Sequence, residues 1–219
     1  MAQIVSVLDE WEAMDIRAVI LTGTGKSFCA GALLAEVAGE DWGENPLTAL
    51  CDRVEAFKAP TICALNGGVY GGGVELALAC DFRIGVKGMK MFVPPARLGI
   101  HYEPAGIRRA MDRLGAQMAR RVFLLAERFG DEALLDAGFL DELVEPDALE
   151  SAAQEMAEEL AGMAPLAVQG MKRSIVELSQ GTLDEAAAKE RIATCFASED
   201  HHEGLAAQAE KRKPAFKGR

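Results

Sequence analysis

Asn66-Gly67-Gly68-Val69-Tyr70-Gly71-Gly72-Gly73-Val74-Glu75-Leu76-Ala77-Leu78-Ala79-Cys80-Asp81 is the stretch that decides the fold. Five glycines crowd the start of an apolar, alanine-rich run, directly after the strand-like Thr61-Ile62-Cys63. Without a Cβ, a residue accepts positive φ and lets a ligand come close to the backbone. The first turn of a helix also presents unpaired N–H groups and the positive end of the macrodipole. Gly71, Gly72 and Gly73 therefore read as an array of donors, with Glu75 inside the first helical turn. A carboxylate there either faces solvent and complements the dipole, or is an acid/base group aimed at whatever the amides bind. The apolar residues around Glu75 favour the second reading. Glycine before a helix does not by itself separate this from dinucleotide and phosphate sites.

A second loop narrows the choice. Residues 16–22 (I-R-A-V-I-L-T) form a β-rich run bounded by turn residues, which predicts a strand. Gly23-Thr24-Gly25-Lys26-Ser27-Phe28-Cys29-Ala30-Gly31-Ala32 follows it. This is no phosphate-cradling P-loop, because the four residues needed between the first glycine and Gly-Lys are missing. It is no dinucleotide fingerprint either, since no third glycine opens a helix at the right place. Two strand-to-loop-to-helix segments remain, each offering small residues with exposed amides. Two convergent N–H groups are what an oxyanion hole requires.

T-G-x-G-K-x-F-C-A-G-A at 22–32, N-G-x-x-x-G-G-G-x-E-L-A-L-A-C-D at 66–81 and the closing E-K-R-K-P-A-F at 210–216 stand in this order along the chain. Together they resemble the crotonase (enoyl-CoA hydratase/isomerase) superfamily, over nearly the whole chain from Ile16 onward. The resemblance implies an acyl-CoA thioester substrate and an enolate-like intermediate held by two backbone amides, here those of Ala32 and Gly72. It puts Ala30 beside the adenine of CoA, Gly31 and Gly71 against the CoA ester, and Lys211 near a CoA phosphate, in reach of a neighbouring subunit. It implies no separate cofactor and no metal, CoA being part of the substrate. Relatives normally carry two further strands and a first CoA-contacting loop ahead of the position where this chain starts. Only fifteen residues precede Ile16: either the protein is naturally short, or its start is placed too far downstream, and in the second case part of the adenine pocket would be missing.

The chemistry turns on a substitution. Family hydratases hold and split a water between two glutamates, one matching Glu75 and the other lying in a P-E-x-x-x-G segment. That segment here is Pro94-Pro95-Ala96-Arg97-Leu98-Gly99. Aligning on Gly99 puts Pro95 at the second glutamate, and proline cannot transfer a proton. Four residues further on stands Glu103, where the superfamily's dienoyl-CoA isomerases and chlorobenzoyl-CoA dehalogenases carry a functional aspartate. Its methylmalonyl-CoA decarboxylases carry a functional tyrosine at the position of Tyr102. Each candidate has a plainer reading: Glu103 as a helix-start carboxylate favoured by the dipole, Tyr102 as a packing residue, His101 as a loop residue. Arg108 and Arg109 suit a solvated helix face better than a contact with CoA phosphates. Three functions stay open, in order: an isomerase or lyase working through Glu75, a malonyl-type decarboxylase needing Tyr102, and a CoA-ester-binding protein without catalysis. Water attack and protonation both need a positioned carboxylate, so hydration suffers most from the loss at Pro95.

Composition agrees. The 219 residues, half of them hydrophobic, are enough for one sizeable core. A net charge of −11 argues against nucleic acid, whose phosphates call for a basic face. Five cysteines are odd in number and lack C-x-x-C spacing, which suggests reduced thiols in a cytoplasmic protein. No run of about 18 apolar residues predicts a membrane span. The pattern predicts helices at 3–14 and 47–57, a loop at 39–45, strands at 61–63, 81–86 and 89–93, and helix from Gly72. Beyond Pro104 it predicts helix with one strand-like break at 143–145, then helices at 147–161, 165–179, 183–197 and 203–212. Strand–helix alternation followed by helices predicts α/β layers capped by a helical region. The resemblance refines this to a spiral of β-β-α units at 1–145 and a helical trimerisation region at 146–219, in a homotrimer or homohexamer.

Overall fold

The computed structural model describes residues 1–31 and 45–219. Helix α1 (Ala2–Glu12) opens the chain, and strands then come in pairs that part at once. β1 (Val19–Thr22) and β2 (Ser27–Cys29) precede helix α2 (Pro46–Ala56). β3 (Thr61–Leu65) and β4 (Gly68–Tyr70) precede α3 (Gly72–Ala79), and β5 (Phe82–Val86) and β6 (Lys90–Phe92) precede α4 (Pro104–Phe123). The first strand of each pair enters one sheet, ordered β1-β3-β5, and the second enters another, ordered β2-β4-β6. β7 (Arg128–Gly130) then closes the second sheet antiparallel to β6, and β8 (Glu142–Val144) closes the first beside β5. Between those last strands lies the short helix α5 (Asp131–Asp136). This is the crotonase-type α/β spiral of β-β-α units.

The first sheet is all parallel. All five residues of β3 are buried, the continuous apolar run expected of a parallel strand covered on both faces. Val74, Ala77, Leu78 and Ala79 of α3 are buried as well. A helix apolar on every side must lie inside, and α3 is enclosed by α2, α4 and β4. Asp81, closing the glycine-rich motif, accepts from the Thr61 N–H at 2.7 Å and the Lys172 ammonium at 2.6 Å. Lys172 belongs to helix α7 (Pro165–Gln180) and is buried, so this contact ties the C-terminal helices to the sheet.

The other late helices are α6 (Leu149–Ala161), α8 (Glu185–Ala197) and α9 (Glu199–Glu210). α6 lies across β1, β3 and β5. No helix among the described residues is long and apolar enough to cross a membrane.

Several expectations need correction. The motif does not run straight from loop to helix, because β4 lies between Gly67 and Gly71. β2 and β7 were not anticipated. β1 starts at Val19 rather than Ile16, and α9 starts at Glu199, where Ser198 accepts from the His201 N–H at 3.1 Å and caps it. A 3₁₀ turn (Pro146–Ala148) occupies what was expected as the start of α6.

Candidate active site

Two glycine backbones meet where β2 leaves the second sheet and α3 begins. Gly31 has φ +90° and Gly71 φ +54°, conformations that L side chains rarely adopt. A Cβ on Gly71 would come within 3.8 Å of the Gly31 Cα. The Gly71 N–H donates to the Phe92 carbonyl at 2.9 Å and the Val74 N–H to the Gly71 carbonyl at 3.1 Å. The donor array expected at Gly71–Gly73 therefore narrows to Gly72 and Gly73, whose first-turn N–H groups have no partner within the helix. Ala32, the other expected oxyanion donor, lies outside the described residues, as does the expected loop apart from Asn45. Asn45 accepts from the Leu47 N–H at 3.0 Å and starts α2, so Leu47 packs against Gly72. Ala30 and Gly31 are exposed.

Glu75 sits in the first turn of α3 and is only 2 % exposed. Its Oε1 accepts from Arg109 Nη1 at 2.6 Å. Arg109, on α4, is completely buried. Its Nε reaches Glu55 Oε2 at 3.3 Å, and its Nη2 meets Asp52 Oδ1. Glu55 is also buried, and it accepts from Arg108 Nη2 at 2.9 Å and from Gln180 Nε2 at 3.2 Å. One guanidinium thus holds three carboxylates from two helices. Burial pushes the Glu75 carboxyl above its ordinary range, and Arg109 and the Tyr102 hydroxyl act against that push. Burial also raises the Tyr102 phenol, and the neighbouring Glu75 charge raises it further. Cys51 is raised by burial and then by Glu75.

Tyr102 reaches this cluster because of a gap. A Cβ on Gly106 would lie 2.6 Å from Glu75 Oε2 and against the Tyr102 ring, so only glycine lets both approach. Tyr102 also packs on Phe123, ring centroids 4.9 Å apart. Glu103, next in sequence, is not part of this cluster. It is exposed at the N-cap of α4, and its side chain makes no capping hydrogen bond. His101 is exposed too, its Nδ1 2.7 Å from the Tyr102 carbonyl. Pro95 opens a 3₁₀ turn (Pro95–Leu98) that Gly99 closes at φ +71°.

Of the acid/base candidates, then, Glu75 and Tyr102 come together and Glu103 does not join them. The solvated helix face expected for Arg109 is overturned by its complete burial. Asp52, Glu55 and Arg109 were missed, although one signal was present: two acids three apart at 52 and 55 and two adjacent arginines at 108 and 109, on the helices before and after the single carboxylate inside α3.

Lys211 ends α9 with φ +55° and is exposed. Its neighbour Arg212 grips Glu203 and Glu210 at 2.5 and 2.6 Å. The tail folds back, with the Lys217 and Gly218 N–H groups each 2.7 Å from the buried Asp200 carboxylate.

Gly72→Ala brings its new Cβ onto Leu47, the far end of a flexible side chain. We expect a loss of turnover well short of the ~10²- to 10³-fold that removing an oxyanion donor costs. The double variant with Leu47→Ala should recover most of it. Comparing kcat/KM of the two checks this; a double variant as slow as the single would mean that the Cβ obstructs the ligand instead.

Known proteins resemble this chain over its length. The family model described as enoyl-CoA hydratase/isomerase matches residues 1–219. The 2,3-dehydroadipyl-CoA hydratase of Escherichia coli K12 is 31% identical, the match covering 100% of this chain and 89% of that protein. The short-chain-enoyl-CoA hydratase of Clostridium acetobutylicum is 34% identical, over 94% of this chain and 82% of that one. The crystal structure of enoyl-CoA hydratase from Bacillus anthracis superposes with a TM-score of 0.90 at 31% identity, covering 100% of this chain and 88% of its own. With the paired sheets, the glycine-lined helix start and the buried glutamate already in place, the chain belongs to the enoyl-CoA hydratase/isomerase family of acyl-CoA enzymes, within the crotonase superfamily.

Proposed function

We propose that the chain moves a proton on an acyl-CoA thioester through one carboxylate, Glu75, and so works as an isomerase or lyase rather than a two-glutamate hydratase. The observation that carries this reading is that Glu75 is buried in the first turn of α3, while Pro95 stands at the second acid's position and Glu103 is exposed. The thioester oxygen would accept from the amides of Gly72 and Ala32, with Gly31 and Gly71 alongside. Glu75 takes a proton from the carbon chain, and the electron pair moves onto the thioester oxygen as an enolate. Isomerisation returns that proton to another carbon and regenerates the carboxylate. Elimination instead lets the enolate pair re-form a carbon–carbon double bond as a leaving group departs from the β-carbon with its bonding electrons and takes the proton from Glu75. Neither route asks for a cofactor beyond CoA itself.

Tyr102 favours a second reading. A buried phenol beside Glu75 could protonate the carbanion left by loss of carbon dioxide from a malonyl-type ester. The three carboxylates around Arg109 weigh against it, because they repel an anionic acyl group.

The test is a mass-spectrometric screen of purified protein in D2O against enoyl-CoA, dienoyl-CoA and methylmalonyl-CoA esters. The proposal expects deuterated or isomerised product. Addition of water as the fastest reaction would overturn it in favour of the hydratase chemistry that the relatives are named for. Loss of carbon dioxide would select the second reading.

Assembly is part of the proposal. Met171, Ile175 and Leu178 on α7 and Ile192 and Phe196 on α8 are exposed apolar residues, spaced in helical steps. We expect a trimer or a dimer of trimers, with Lys211 near a neighbour's CoA and Ala30 near the adenine. Light scattering at micromolar concentration checks this, and a monodisperse monomer would contradict it.

A further inference from the structure

We propose that Arg109 is the positioning residue of this site, fixing the Glu75 carboxylate so that Oε2 alone is left to carry the proton. The inference rests on the reading of Glu75 as the proton carrier. Arg109 cannot itself give up a proton at working pH, so its influence is geometric and electrostatic. Its planar fork is held on three sides, by Glu75 Oε1 at 2.6 Å, Glu55 Oε2 at 3.3 Å and Asp52. Glu55 is braced in turn by Arg108 and Gln180. A guanidinium so fixed leaves Glu75 one rotamer, with Oε1 occupied and Oε2 turned to the gap at Gly106 beside Tyr102.

The same contacts set the charge. Among the described residues, Cys51 and Asp52 on α2, Tyr102 before α4 and Arg109 on α4 act on Glu75 directly, while Glu55 is linked to it through Arg109, Arg108 through Glu55 and Asp112 through Arg108. Burial favours the protonated carboxyl over the carboxylate that a base needs to be. Arg109 favours the carboxylate, whereas Asp52 opposes it. Asp52 is also the cluster's outlet to solvent, its side chain 59 % exposed against 3 % or less for Arg109, Glu55 and Glu75. The buried base therefore has two handles of opposite sign, one inside and one at the surface.

The two handles give opposite shifts in one experiment. kcat/KM is measured against pH for the full chain and for Arg109→Met, Arg109→Lys and Asp52→Asn, with Glu75→Gln as control, on the best ester of the panel. A base must be ionised to act, so its pKa appears as the acid limb of the profile. Arg109→Met should move that limb to higher pH, and rates on the limb fall about tenfold per unit of displacement. It should lower kcat more than it alters KM. Arg109→Lys should restore part of the loss, returning the charge without the fork. Asp52→Asn should move the limb to lower pH. Arg109→Lys keeps the charge, and so tests the proposal even where Arg109→Met does not fold. An inactive Glu75→Gln together with the parent's kcat in Arg109→Lys would overturn the role of Arg109 while leaving that of Glu75 intact. A fully active Glu75→Gln would overturn the underlying reading instead.

Discussion

Glu75→Gln lowers turnover on the best acyl-CoA substrate by about 10²- to 10⁴-fold, the usual contribution of a general acid or base, and leaves binding almost unchanged. The amide keeps the shape and still accepts from Arg109 Nη1. Arg109 loses one of three anionic partners but retains Asp52 and Glu55, so the buried guanidinium is not abandoned. Steady-state kcat and KM, with a thermal melt to confirm folding, check the result. Glu103→Gln makes a contrast: the Glu103 side chain is exposed and uncapped, so the substitution should be nearly silent. A loss at Glu103 matching that at Glu75 would mean that the α4 N-cap supplies the missing second acid. Under the decarboxylase reading the order changes, and Tyr102→Phe should hurt more than Glu75→Gln.

Gly106→Ala is the second large effect. Its Cβ would stand 2.6 Å from Glu75 Oε2 and 2.8 Å from Glu75 Cδ, so carboxylate, phenol or helix must move. Overpacking a buried site typically costs ~1–3 kcal/mol. For a chain of this length that corresponds to a fall in Tm of about 2–4 °C per kcal/mol. Activity should drop further than stability suggests, because a misplacement of about 1 Å at a reacting group can cost ~10²-fold. Melting curves and kcat/KM measured together separate the two effects. A variant melting lower with the parent's kcat would show that the gap serves packing alone.

The parts of the fold that were legible came from local chemistry. Thr61-Ile62-Cys63 announced a buried strand, and the glycines before Val74 announced a helix start with open amides. The short strands were not legible. Ser27–Cys29, Gly68–Tyr70 and Arg128–Gly130 are three residues each, too short for period-two alternation to show. They exist because Ser27 pairs with Gly68, Val69 with Met91 and Met91 with Phe129, partners fixed only once the chain has wound into two sheets.

At the site, Glu75 could be singled out because it is the one charge in an apolar helix. Arg109 could not, because Ile107-Arg108-Arg109-Ala110 looks amphipathic in sequence. Packing of α4 on α3 turns Arg109 inward, while Arg108 stays at the edge with Asp112, 2.9 Å away. Tyr102 and Glu103 are adjacent in sequence and part for a similar reason. The chain turns into α4 there, and one residue fills the gap over Gly106 while the other is left at the cap.

On the proposed mechanism one carboxylate, Glu75, exchanges protons with the carbon chain of a thioester whose charge the Gly72 amide helps to hold. Deuterium wash-in tests it most directly: a CoA ester with an exchangeable position beside the thioester or along its enoyl chain is incubated in D2O and followed by mass spectrometry. Deuterium should enter steadily with the parent protein and at a rate at least about a hundredfold lower with Glu75→Gln, in keeping with the loss of a general base. Incorporation by Glu75→Gln at the parent's rate would contradict it.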